Sequence, residues 1–143
     1  EAFELMQSRL NPDGILLINF VGSFDKDSAQ VVYSVNSTLK EVFKYVDLYL
    51  PHGYGAGSTH PTNFTFVAYS NKEKINKNLS INPPINPRVA AEVWGLLDRK
   101  FAITEEGEIL TDDYNPIDFQ DIKLREEFRS GTILSADKEI VIF

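Results

Sequence analysis

Residues 10–21 read LNPDGILLINFV, and this stretch decides the fold because a helix end, a tight turn and a strand follow one another in it. Pro12 presets the φ angle of a turn, and Asp13 and Gly14 suit the positions after it. The almost unbroken apolar run that follows predicts a strand covered on both faces. Such a strand belongs to a parallel or mixed sheet flanked by helices, so the sequence predicts an α/β fold.

The segment before this turn has its apolar residues at helical spacing, namely Ala2, Phe3, Met6 and Leu10. This spacing predicts an amphipathic helix. Since the chain opens on Glu1, inside that pattern and without an initiator Met, we expect further residues before it and interpret the chain as the second half of a larger fold.

Composition limits the function classes. A length of 143 residues fits one domain, and 14 Lys and Arg against 21 Asp and Glu give a net charge of -7, which disfavours nucleic acid as a partner. The absence of cysteine excludes disulfides, a thiol nucleophile and cysteine-based zinc sites. No apolar run reaches the roughly 18 to 20 residues of a bilayer span, so the sequence predicts a soluble, cytoplasmic chain with no membrane partner.

Three further elements are predicted up to residue 70. Apolar residues spaced three and four apart from Ala29 to Phe43 predict a helix of about four turns that Asp25 or Asp27 caps. A strand over 45–50 ends at Pro51, and a strand over 63–70 follows a glycine-rich loop long enough for it to run antiparallel to the strand before it. Together these elements are typical of the closing edge of an open α/β sheet.

The C-terminal half has fewer regular signals. Residues 71–86 are polar, end near a Pro-Pro pair and predict a surface connector. A helix is predicted from Asn86, with an apolar face that runs to Phe101 and includes Trp94 as a core residue or an interface anchor. Residues 105–108 predict a turn, and Asn115-Pro116 predicts the start of a short helix through about residue 128.

Several segments of this chain, taken in their order along the sequence, resemble the C-terminal half of the spermidine synthase-like branch of the class I S-adenosylmethionine-dependent transferases. The quoted pieces are the LNPDG turn with its strand, the helix ending in LKEVF, the strands at Tyr45 and Phe64, and the motif Thr111-Asp-Asp-Tyr-Asn-Pro116. The resemblance implies a class I methyltransferase-like (Rossmann-like) sheet with an antiparallel last strand, over residues 1–70, then the connector 71–86 and a helical extension over 87–143.

The resemblance also implies the chemistry. Members of the spermidine synthase-like branch transfer an aminopropyl group from decarboxylated S-adenosylmethionine to an amine acceptor. The resemblance implies that the parent of this chain uses that cofactor or S-adenosylmethionine itself. The glycine-rich turn, the ribose-binding acid and the catalytic aspartate of the family precede the part that this chain resembles, and the sequence has no G-x-G-x-x-G. The expectation is therefore a chain that binds no cofactor and is inactive alone. The alternatives are a methyltransferase fragment and a non-catalytic, self-associating module, and a homo-oligomer is expected.

The loop over 51–62 is one candidate for substrate contact, because a long glycine-rich connection at a sheet edge can cover a crevice. In the family an aromatic residue at the end of this loop helps to cover the amine, which implies a substrate-binding role for Phe64 or Tyr54. The other interpretation makes Phe64 sheet core. The chain's two histidines, His52 and His60, lie in the same loop without a third ligand and predict no metal site.

Asp112 and Asp113 form the second candidate. Adjacent residues of a strand point to opposite sides, so the two carboxylates serve one site only if a turn brings them together. Paired carboxylates suit a cationic amine or a general base. The other interpretation is structural, since aspartates before an Asn-Pro step also form turns and helix caps.

Overall fold

The computed structural model describes residues 1–25, 28–51, 53–55, 58, 60–71, 100–117, 122, 125, 126, 129 and 130. The elements along this part of the chain are α1 (Ala2–Arg9), β1 (Ile15–Gly22), α2 (Ala29–Val42), β2 (Tyr45–Tyr49), β3 (Thr62–Tyr69) and β4 (Lys100–Phe101). The chain is therefore mixed α/β, as predicted.

The four strands form one sheet in the order β1-β3-β2-β4, and each neighbouring pair is antiparallel. Strands β1 and β2, which α2 connects, consequently point the same way without pairing, and β3 lies between them. The prediction that the strand after the loop runs antiparallel to the strand before it is confirmed. The expected parallel neighbours are not found among the described strands.

Strand β1 corrects the prediction that both faces of this strand are covered. Leu16, Ile18 and Phe20 pack against the core, whereas Leu17 on the other face is 60% exposed. Ile15 and Val21 share that open face and are 46% and 41% exposed. An apolar run without alternation suits a buried strand, but it cannot say whether a second layer is present to cover the second face.

Helix α2 covers the inner face of the sheet. Val32, Val35 and Leu39 belong to the buried core together with Phe64 and Phe66 of β3, which confirms the amphipathic helix. Its N-cap is Ser28, whose own side chain forms no capping hydrogen bond. The Asp25 carbonyl accepts the backbone N–H groups of Ser28 and Ala29, and Asp27 lies outside the described residues.

The predicted turn before β1 is present, since the Gly14 N–H donates to the Asn11 carbonyl at 2.8 Å. Helix α1 precedes it and has no buried residue. Phe3 and Leu10 are partly buried against the core, whereas Leu5 and Met6 are exposed.

Strand β4 corrects the assignment of Phe101 to a helix. Phe101 pairs with Leu48 of β2, and its ring centroid lies 4.8 Å from that of Phe24. Most of the predicted connector and helix, including Trp94, lies outside the described residues. The described part of the C-terminal segment thus adds a strand to the sheet of residues 1–70.

Candidate functional site

Asp112 and Asp113 lie at the two central positions of a tight turn. Thr111 and Tyr114 exchange two backbone hydrogen bonds of 2.9 and 3.2 Å around them, and the Thr111 hydroxyl accepts the Tyr114 N–H at 3.0 Å. Both aspartates are exposed. The turn that would bring the two carboxylates to one site is therefore present. The interpretation in which the aspartates only form a turn or a helix cap also expects a turn here, so its presence does not separate the two interpretations.

The helix start after this turn is capped by its own asparagine. The Asn115 side-chain carbonyl accepts the N–H of Ile117 at 3.2 Å, which satisfies a free donor of the first helical turn. Capping at the Asn-Pro step is therefore confirmed, and the residue that caps is Asn115 rather than either aspartate.

The segment before the turn lies on α2, and within the turn predicted at 105–108 the chain bends at Glu105. The backbone N–H groups of Gly107, Glu108 and Leu110 donate to hydroxyl groups of α2 residues. A Cβ atom added at Gly107 would lie 2.1 Å from the backbone nitrogen of Ser34. Backbone therefore packs directly on backbone here, and only glycine fits without a shift.

A cleft of about 370 Å³ lies between α1, α2 and residues 109–117, and we call it the acidic cleft. Exposed carboxylates of Glu1, Glu4 and Glu41 contribute to its lining. Apolar side chains provide much of the rest, namely Phe3, Val35, Val42, Ile109, Leu110 and Ile117. A lining that combines apolar side chains with exposed carboxylates is suited to a ligand with a hydrocarbon chain and positive charges.

Asp112 lies close to Glu1 of this cleft. A hydrogen bond with Asp112, and then the negative charge of Asp112, raise the pKa of the Glu1 carboxyl above its ordinary value. A cation beside this pair would favour the ionised form of Glu1, so the pair provides a position for an ammonium group.

The other two predicted site residues lie elsewhere. Tyr54 is 40% exposed in the loop after β2, where its N–H donates to the Pro51 carbonyl. Phe64 has no exposed surface, and its ring lies 5.1 Å from that of Phe24. Phe64 is therefore in the sheet core, where the second interpretation put it, and its ring is closed to a solute in this arrangement. The four residues thus occupy three separate places.

A buried polar cluster that was not predicted from the sequence lies on the other face of the sheet. Asp47 of β2 is 8% exposed, accepts a hydrogen bond of 2.9 Å from the Tyr69 hydroxyl and forms an ion pair with Lys100. Burial, followed by the hydrogen bond with Asp47, raises the pKa of Tyr69 to about 12. An aspartate at the centre of the strand sequence YVDLY was the available signal, because a buried carboxylate requires partners.

Both oxygens of Asp47 have a partner, one in Tyr69 and the other in Lys100. The cluster therefore connects β2, β3 and β4, and we assign it to the stability of the sheet rather than to catalysis.

Among the residues that the structure describes, no group of three or more potential ligands could hold a metal ion. No helix in the described ranges is long and apolar enough to span a bilayer. In comparisons with known proteins, no family matches the chain, and neither a curated protein nor a solved structure matches it significantly.

Proposed function

We propose that this chain is the amine-binding part of a transferase similar to the spermidine synthases, which moves an aminopropyl group from decarboxylated S-adenosylmethionine to an amine. The observation that carries the proposal is the acidic cleft, with the Glu1–Asp112 carboxyl pair beside it. A linear amine has the complementary chemistry, because its ammonium groups pair with carboxylates while its methylene groups contact apolar side chains.

The order of the elements supports the proposal. The resemblance implies two strands joined by a helix, followed by an antiparallel last strand, and β1, α2, β2 and β3 follow one another in this way. A fold hosts many activities, so this order supports the relationship and leaves the reaction to the site.

The proposed reaction is an in-line displacement in which the acceptor nitrogen attacks the aminopropyl carbon attached to the sulfonium. A C–N bond forms, the C–S bond breaks, and the sulfur leaves as a neutral thioether. The attacking amine must lose a proton, which a nearby carboxylate can accept. Asp112 and Asp113 are the proposed residues for holding the amine, and no nucleotide-binding role is assigned to this sequence.

A binding experiment with putrescine tests the amine site directly. We expect the diamine to shift the NMR signals of residues around the acidic cleft, such as Glu4, Ile109 and Thr111, and butanediol of the same length to shift none. Exposed ion pairs contribute about 0.2–1 kcal/mol each, so Asp112→Asn should weaken binding about 1.4- to fivefold. Added salt should weaken it further.

Glu106→Gln is the matched control for that experiment, because Glu106 is an exposed carboxylate that does not line the acidic cleft. If butanediol shifts the same signals, or if Asp112→Asn and Glu106→Gln bind the diamine equally well, the amine site is wrong.

A second candidate, self-association, is favoured by the position of β1 at one end of the sheet that the described strands form. This strand ends the sheet order, contains no charge or proline, and exposes Leu17. Natural edge strands usually carry such features to prevent pairing with another chain. The candidate function is a module in which β1 pairs with β1 of a second copy.

Sedimentation of matched variants tests this candidate. Leu17→Lys should give monomers, whereas Leu5→Lys should leave the dimer intact, although both leucines are 60% exposed. A wild-type chain that remains monomeric at high concentration would exclude the module.

A further inference from the structure

We infer that the hydroxyl groups of Ser34, Ser37 and Thr38 on α2 position the Asp112 carboxylate beside the acidic cleft. The inference rests on the proposed function and adds three positioning residues to it. These residues act through the chain segment that they hold, which runs from Gly107 to the turn at 111–114.

The three hydroxyl groups form one face of α2, because positions 34, 37 and 38 are three and four residues apart. The Ser37 hydroxyl accepts the Gly107 N–H at 2.9 Å, and the Ser34 hydroxyl accepts the Glu108 N–H at 3.1 Å. The Thr38 hydroxyl accepts the Leu110 N–H at 2.9 Å. Three backbone donors close together in sequence are thus bound by side chains of a single helix.

Thr38 is itself fixed in orientation. Its hydroxyl donates to the Ser34 carbonyl at 2.7 Å, so its lone pairs face the incoming Leu110 N–H. Thr38 is 7% exposed. A buried hydroxyl with both a donor and an acceptor bond holds its partner in one place.

Gly107 sets the distance between the segment and the helix. A Cβ atom there would lie 2.2 Å from the Tyr33 carbonyl carbon and 2.5 Å from the Ser34 Cα atom. The segment therefore lies directly on the helix backbone.

The turn continues from this fixed segment. Thr111 follows Leu110, and its two backbone bonds with Tyr114 close the turn that presents Asp112. The Tyr114 hydroxyl donates to the Glu108 carboxylate at 3.1 Å, which ties the turn back to a residue held by Ser34. Asp112 is consequently supported from both sides of the turn, and a shift of the segment would displace it from Glu1.

The pKa of the Glu1 side chain is the readout, since a purely structural effect elsewhere would not change it. The groups that face this carboxyl are Asp112, Glu4 and the amino group of Glu1. In an NMR titration, Asp112→Asn should return the Glu1 pKa towards its ordinary value. This change gives the largest shift of the Glu1 pKa that displacement of Asp112 can cause. Thr38→Val and Ser37→Ala should each move it in the same direction, whereas Thr65→Val on β3 should leave it unchanged.

If Thr38→Val does not fold, Ser37→Ala at its partly exposed position carries the test alone. A raised Glu1 pKa that persists in the folded variants overturns the inference. Putrescine binding to the wild-type chain separates this result from the proposed function. If the variants move the Glu1 pKa but the wild-type chain binds no diamine, the positioning role holds and the amine site fails.

Discussion

Gly107 shows how one residue decides whether the segment that leads to the turn at 111–114 can pack on α2. Gly107→Ala places a methyl group within 2.1 Å of the α2 backbone, and backbone cannot rotate away as a side chain can. We expect a loss of about 1–3 kcal/mol in the free energy of unfolding, measured by urea denaturation, from this overpacking. Gly55→Ala is the control because its Cβ would meet nothing within 4 Å.

The Gly55→Ala variant should stay within about 0.5 kcal/mol of the wild type, as surface substitutions usually do. Equal stabilities for the two variants would show that segment 107–111 does not pack on α2 in solution.

Tyr69 makes stability depend on alkaline pH. Its pKa is raised to about 12 in the folded chain, against about 10 for an unperturbed tyrosine. The folded chain therefore keeps a proton that the unfolded chain releases, so this contribution is complete below about pH 10 and is lost between about pH 10 and 12.

Urea denaturation at pH 8 and pH 11 measures this loss. Tyr69→Phe should lose less stability than the wild type over that interval, because it lacks the phenol whose pKa is raised in the folded chain. An identical loss in both would place the Tyr69 hydroxyl outside the Asp47 cluster.

At the residue level, the sequence predicted a turn around Asp112 and a cap at Asn115, because those residue types have local backbone preferences. It left two interpretations of Phe64 open, because an aromatic residue in a strand suits either a core or a substrate wall. Pairing of Glu1 with Asp112 could not be predicted, since it depends on contacts across most of the chain.

At the level of elements, α2 packs on the sheet and also binds the segment from Gly107 to the turn at 111–114. Leu39 has no exposed surface, so Leu39→Ala should cost about 2–5 kcal/mol in the free energy of unfolding. Leu5 on α1 is 60% exposed, and Leu5→Ala should change the free energy of unfolding by about 0.5 kcal/mol or less. Thermal unfolding followed by circular dichroism measures both, and similar losses would contradict the burial of α2.

The helices and strands up to residue 70 were predictable to within one or two residues, because apolar spacing marks α2 while an unbroken apolar run and flanking turn residues mark the strands. Two features were not. The open face of β1 depends on which layers surround the sheet, and Phe101 joins β4 through pairing with Leu48, which outweighs the helical spacing of the residues before it. Both depend on long-range contacts that local sequence does not encode.

For the whole molecule, the proposed division of labour predicts that this chain alone binds neither S-adenosylmethionine nor its decarboxylated form. The sequence has no G-x-G-x-x-G turn, the element that cradles the phosphates or closely approaches the ligand in many nucleotide-binding folds. Calorimetry should give no heat of binding for either compound, whereas putrescine should bind. Micromolar binding of the nucleotide would mean that the cofactor site is formed by these residues.

The three hydroxyl contacts of α2 also affect how the molecule opens. The amide hydrogens of Gly107, Glu108 and Leu110 are bonded to side chains, whereas those of β3 belong to strand pairings on both of its sides. The segment can therefore detach while every strand of the sheet remains paired. In deuterium exchange, these three amides should exchange together and before those of β3. This result would make the segment that begins at Gly107 a cooperative unit separate from the sheet.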